Sequence, residues 1–443
     1  MRSRALFPPL ALALLAGGCG RPPRAELDPA RTLAELRRPE AIPAGDLATA
    51  LTTLAWRDHP DLDLARAELS AAQAGIRTAK AIPNPTFGFG ATRAEGVPQP
   101  WTLTYGLSLP VELGGKRRLR LRQAALQVQA AQLAVADTAW RLRMGVRTAL
   151  VDWRQAREAA AVADRSAAIW TDLRNLQDRR FAVGEIGAPE RAAVAQEAQR
   201  AEAGRLSAQS ALRRAESTLA LAAGLPPATF APRLDQEPPP DLAPGSAPPP
   251  GRTEALIHRL DVRRILLAWD QNETALEQEL AQRVPNLQLG PGYSFDQGVK
   301  KWTLGFTVDL PLFDRRQGPI AEAVARRAVL EARLRQAEAQ ALAGAGLAEG
   351  RLAAAQAALK AQDAALAGAQ ARLEAARRAL ALGSLDRGAL LAAELEALQA
   401  RGLAVEAWAE EARARLAVED AFQKPLDPAE RPYPFEPPTG ARP

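Results

Sequence analysis

WTLTYGLSLP, residues 101–110, sets an apolar side chain at every second position: Trp101, Leu103, Tyr105, Leu107 and Leu109. Between them stand Thr102, Thr104, Gly106 and Ser108, which are small or weakly polar. A period of two predicts a β-strand with one greasy and one wet face. Pro110 is expected to end it. The phrase returns as WTLGFTVDLP, Trp302–Pro311, with Trp302, Leu304, Phe306, Val308 and Leu310 on the greasy face.

Each strand has an alternating partner upstream. Phe87, Phe89 and Ala91 alternate with Gly88, Gly90 and Thr92, and the polar run Arg93–Pro100 makes a turn. In the second copy Leu287, Leu289, Tyr293 and Phe295 alternate with Gln288, Gly290, Gly292 and Ser294, and Asp296–Lys300 is the expected turn. Two β-hairpins follow, at 84–110 and 286–311.

The flanks are helical and also duplicated. Asp46 can cap a helix running to about Ala81, stopped by Pro83; Asp261–Arg283 answers it. After each hairpin comes a very long proline-free stretch. The first, Lys116–Phe181, would reach about 100 Å as one helix. It turns at AVGEIGA, residues 182–188, and returns to about Ala223. The second runs from Pro319, turns at LGSLDRG, residues 382–388, and returns to about Phe422. The chain thus divides into a signal-like segment (1–19), an extended leader (20–45), repeat 1 (46–224, helical hairpin 115–223), a Pro-rich linker (225–251), repeat 2 (252–423, helical hairpin 317–422) and a Pro-rich tail (424–443). Finding the duplication fixes the architecture.

Composition agrees. Hydrophobic residues are 47% of the 443, yet aromatics are only 5%, a mix suited to closely packed Ala- and Leu-rich helices. The charge of +6 is spread over 57 basic and 51 acidic residues. Basic residues form no stripe interleaved with aromatics, so no nucleic-acid partner is expected. Two His, two Met and one Cys suggest no metal site and no cofactor. No nucleophile, zinc or phosphate-loop motif points to an enzyme.

No stretch after the N-terminus is long and apolar enough for a transmembrane helix. The strands, at 9 to 10 residues, have the length a tilted transmembrane strand needs. Four strands cannot close, and an open edge in lipid would strand backbone polar groups. Several copies must therefore pool their strands. Gly, Ser, Thr and Gln would face a wet bore, and Trp101 and Trp302, at matching strand starts, would sit in an aromatic girdle at the membrane boundary. At the N-terminus, Arg2 and Arg4, an apolar core and AGGC ending at Cys19 resemble a bacterial lipoprotein signal, although Leu15 stands four residues before the cysteine rather than three. Cys19 is then the expected site of lipidation, carrying an acyl chain such as palmitate.

The order of helix, β-hairpin, long helical hairpin and tight glycine tip, twice over, resembles the TolC-type outer-membrane efflux channel family across roughly Asp46–Phe422. LPVELGGKR (109–117) and LPLFDRRQGPIAEA (310–323) look like strand-to-helix junctions of its CzcC/CusC heavy-metal branch. The resemblance implies a mixed, mainly α fold in which helical hairpins form a periplasmic α-barrel and each chain gives four strands to a trimeric transmembrane β-barrel. It implies a homotrimer in the outer membrane. Its partners would be a periplasmic adaptor and an inner-membrane pump, RND-type first among them, with heavy-metal cations a candidate cargo. It places Val183, Gly184, Glu185, Leu382, Gly383 and Ser384 at adaptor-docking tips. Family members often carry acidic rings near the tips. Ala389 and Ala392 lack the acids some relatives have there, which leaves Asp386, Glu190 and Glu394 as candidate gate acids. The rival expectation is a lipid-anchored periplasmic coiled-coil adaptor or scaffold with no pore.

Overall fold

The computed structural model describes residues 26–36, 45–226 and 257–426, with Ile42, Leu234 and Tyr433. Cys19 with its signal segment, most of the Pro-rich linker and most of the tail lie outside the described residues.

Within the leader, expected to be extended, a short helix α1 forms at Pro29–Leu36. Asp28 starts it by accepting the Ala30 amide at 2.9 Å. The helix expected from Asp46 to Ala81 is two: α2, Leu47–Asp58, and α3, Pro60–Lys80. Asp46 caps α2 through the Thr49 amide at 2.8 Å. Pro60 makes the break, since its ring and missing N–H suit a first turn but not a helix interior. Arg66 then closes the corner, donating to the freed carbonyls of Trp56 at 2.5 Å and Arg57 at 3.0 Å.

Strands β1 (Thr86–Arg93) and β2 (Trp101–Val111) form the first hairpin. Helix α4 then runs for 67 residues, Lys116–Ala182, and α5 returns over Ala188–Ala223. The second half repeats this with α6 (Leu260–Gln282), β3 (Leu287–Asp296), β4 (Val299–Val308), the 65-residue α7 (Gln317–Ala381) and α8 (Arg387–Phe422). At 1.5 Å per residue the long helices extend about 100 Å.

The strands make one antiparallel sheet, ordered β1-β2-β3-β4. The helices form a single layer. α4 and α8 lie centrally and contact each other, α5 flanks α4, and α7 flanks α8; toward the sheet α6 wedges between α4 and α7, and α3 lies on α4. The core is therefore a series of seams. Leu51, Leu54, Val146, Trp153 and Leu219 pack α2 against α4 and α5. Ala341, Ala345, Ala348, Val418 and Phe422 join α7 to α8. Val151, Leu359, Trp408 and Leu416 join α4, α7 and α8. Small alanines let helices this long run close together without large side chains forcing them apart.

Among the described residues α5 and α7 make no contact, and β1 and β4 do not pair. Both the sheet and the helical layer are thus arcs with two free edges. No helix among the described residues is long and apolar enough to cross a membrane.

Candidate functional site: the strand wall and the helical tips

In register, Phe87 faces Leu107, Phe89 faces Tyr105 and Ala91 faces Leu103; Leu289 faces Phe306 and Tyr293 faces Trp302. The inner pair continues the rows, with Leu103 against Phe295 and Tyr105 against Tyr293. One face of the sheet is apolar across all four strands. It is also bare: Phe87 is 69% exposed, Trp302 83%, Leu304 81% and Phe306 75%. A contiguous apolar face of this extent does not stay in water.

The other face is small and polar. It encloses a trough of about 610 Å³ lined by Thr86, Gly90, Thr104, Gly106, Gln288 and Gly292 among others. Glycine leaves room there for the neighbouring threonine hydroxyls. A Cβ on Gly90 would stand 2.6 Å from the Thr104 hydroxyl, and one on Gly292 2.6 Å from that of Thr303.

Proline shapes the sheet in two ways. β2 does not end at Pro110 as expected but continues to Val111, with Pro110 opposite Gln288. β1 begins opposite Ser108, so beyond that point β2 is a local edge, where a residue without an N–H is tolerated. Pro291 interrupts the β2–β3 ladder, whose pairs run to Gly106–Gly292 and resume at Leu109–Leu289.

Hairpin two is tighter than expected. The five-residue turn is two residues, Gln297 and Gly298, both at positive φ, the geometry that matches the strand twist. β4 accordingly starts at Val299 and ends at Val308. Trp101 begins β2, 50% exposed, with the Arg93 guanidinium 5.9 Å from its ring centre. Trp302 is not at a strand start; it is the fourth residue of β4, level with Tyr105. It closes a row the periodicity did not disclose. Phe89, Tyr105, Tyr293 and Trp302 run edge to edge across all four strands, with ring centres 5.3, 6.2 and 4.8 Å apart.

Below the sheet the junction phrases act as fasteners. Glu112 takes both guanidinium nitrogens of Arg120, one at 2.9 Å. Lys116 donates to the Val284 carbonyl and to Asn286, each at 2.7 Å, so the first repeat's exit is tied to the second repeat's entry. Burial lowers the Lys116 pKa from its ordinary value. In the second repeat Arg316, at φ 61°, starts α7 and binds Glu279 at 2.7 Å.

At the far end the two reversals share one construction. Gly184 has φ +78° and Gly383 +70°. The Glu185 amide donates back to Arg180 at 2.9 Å, and the Ser384 amide to Ala379 at 3.0 Å. This six-to-one closure needs a left-handed residue just before it, which glycine supplies without strain. Each turn leaves one large apolar side chain in solvent, Val183 at 71% and Leu382 at 84%. Glu185 pairs with Arg180 at 3.2 Å.

The three candidate gate acids are not equivalent. Asp386 caps α8, accepting the Ala389 amide at 2.7 Å. Glu394 is mostly buried, with Arg377 at 3.7 Å and Arg165 at 4.0 Å. Glu190 stands exposed in the first turn of α5. Among the described residues no group of three His, Cys, Asp or Glu is placed to hold a metal ion.

Comparison with known proteins agrees with this geometry. The family model for outer membrane efflux proteins matches residues 51–225. The cobalt-zinc-cadmium resistance protein CzcC of Cupriavidus metallidurans is 27% identical over 285 residues, 62% of this chain. That alignment spans 65% of the relative, a little under two thirds of its length. The outer membrane protein VceC of Vibrio cholerae superposes with a TM-score of 0.67 at 21% identity, covering 86% of this chain and 97% of that one. The Campylobacter jejuni CmeC outer membrane channel gives 0.69 at 16% identity, with 85% of each chain covered.

Proposed function

We propose that the chain is a member of the TolC-type outer-membrane efflux family and the exit duct of a tripartite efflux system, a reading supported by the family match over residues 51–225, the similarity to CzcC and the fold shared with VceC. The observation that carries this is the open, two-faced sheet. Its bare apolar side suits lipid, its glycine- and threonine-lined side suits water, and its unpaired β1 and β4 edges suit the next copy. Three copies would give twelve strands, enough to leave a passage rather than a side-chain-filled core. The arc of helices would close in the same way into a periplasmic tunnel. Trp101, at the outer end of β2, would lie at the outer headgroup level, with the row from Phe89 to Trp302 four residues deeper.

The tips carry the partner reading. Val183 and Leu382 are exposed on rigid, hydrogen-bonded turns, a suitable apolar foothold for a periplasmic adaptor bound to an inner-membrane pump. Glu190 is the best placed of the acids to meet passing cations, since Asp386 and Glu394 are engaged within the chain. The similarity to CzcC supports divalent heavy-metal cations as cargo. The duct itself would not coordinate them, leaving selection to the pump. Acylation of Cys19 would add an anchor without creating a pore.

The test is electrical. The purified protein, reconstituted in planar bilayers, should open discrete ion-conducting steps. A protein that binds membranes yet never conducts would favour the poreless scaffold. Loss of the gene should sensitise its host to cobalt, zinc or cadmium; unchanged tolerance would remove the metal assignment while leaving the duct.

A further inference from the structure

The polar face of the strand wall carries two charges in total. In register it comprises Thr86, Gly88, Gly90 and Thr92 on β1; Thr102, Thr104, Gly106, Ser108 and Pro110 on β2; Gln288, Gly290, Gly292, Ser294 and Asp296 on β3; and Val299, Lys301, Thr303, Gly305 and Thr307 on β4. The one anion and the one cation find each other. Lys301 donates to Asp296 Oδ2 at 2.7 Å, and the Thr102 hydroxyl donates to Asp296 Oδ1 at 2.8 Å. Both carboxylate oxygens are engaged, by groups on β2 and β4. The contact is a cross-strand diagonal beside the Gln297–Gly298 turn, at the end of the wall farthest from the helices.

We propose that Asp296 and Lys301 form a self-neutralising pair at the outer mouth, so that the strand wall passes solutes without regard to the sign of their charge. This rests on the duct reading above. A pair this exposed, with Lys301 52% and Asp296 35% accessible, contributes little to stability. Its consequence is electrostatic. A lone charge at that position would be repeated by every copy into a ring, the arrangement by which pores select ions. A narrow, low-dielectric mouth focuses such a field. With ammonium and carboxylate in contact the ring is one of short dipoles, whose field falls off much faster than that of single charges. The rest of the wall, being Gly, Thr, Ser and Gln with Pro110 and Val299, adds no charge. Discrimination by sign must then arise elsewhere along the duct.

The test compares wild type, Lys301→Gln, Asp296→Asn and the double variant in planar bilayers under a potassium chloride gradient. Lys301→Gln should move the reversal potential toward cation selectivity and Asp296→Asn toward anion selectivity, while the double variant should return to the wild-type value. Hexaamminecobalt(III) added on the strand side should block Lys301→Gln and spare wild type and the double variant. A purely structural link would not produce opposite shifts that cancel. Single variants that conduct with the wild-type reversal potential, and show no strand-side block, would overturn the proposal. A wild-type protein that never conducts would overturn the duct reading, and the pair's role with it.

Discussion

Arg143 has no solvent exposure, and its guanidinium lies 2.6 Å from Glu419. It also lies 5.0 Å from the centre of the Trp140 ring, whose indole N–H donates to Asp420 at 2.9 Å. These residues sit on α4 and α8, so a buried ion pair with an aromatic cover joins the two repeats. Desolvating two charges costs several kcal/mol each, so the pair is weak evidence for net stabilisation, but losing one partner strands the other. Arg143→Ala should cost about 3–5 kcal/mol, whereas Arg143→Met with Glu419→Leu should be near neutral or stabilising. Thermal unfolding in detergent would read both. Glu273 offers a pH prediction at the same scale. Hydrogen bonds from Arg327, at 2.6 and 2.7 Å, hold its carboxyl below the ordinary glutamate value of 4.5. The unfolded chain therefore takes up protons first as pH falls. The stabilisation of α6 on α7 is complete above 4.5 and is lost as pH falls through the depressed folded value. Melting temperatures of wild type and Glu273→Gln should differ at neutral pH and converge in acid; a gap that persists there would show that the pair's charge is not the cause.

The elements were legible in the sequence to different degrees. The period of two in WTLTYGLSLP and its echo disclosed the strands, because a sheet with one lipid face and one wet face must alternate. The helices disclosed themselves by length and lack of proline. Four details did not follow. Pro60 broke the first helix, since a proline inside an Ala- and Leu-rich run is weighed against a strong propensity around it. Pro110 sat inside a strand, because only the register shows that β2 is a local edge there. The Phe89–Tyr105–Tyr293–Trp302 row was invisible, since β2 and β3 are joined through α4, α5 and α6 and no local pattern sets their register. The Asp296–Lys301 contact was hidden by the misplaced turn. The lipid-face assignment makes its own prediction. Leu304, 81% exposed on β4, faces outward beside the aromatic row. Leu304→Arg should cost about 2–4 kcal/mol if it lies near the bilayer midplane, whereas Leu304→Phe should be tolerated. Folding yield in lipid vesicles measures the difference, and equal yields would place the apolar face elsewhere.

At the scale of the whole molecule, every layer ends on something unfinished. Among the described residues the sheet stops at β1 and β4 with unpaired backbone edges, and the helical layer stops at α5 and α7. An unpaired strand edge in lipid costs several kcal/mol for each stranded group. The same edge exposed to water invites uncontrolled pairing. Addition of further copies, edge to edge, resolves both layers at once, since the edges lie at the same two sides of the arc. The most direct measurement is therefore the mass of the detergent-extracted particle by native mass spectrometry. The account predicts a homotrimer that leaves the membrane only with detergent; a monomer that dissolves in buffer alone would contradict it.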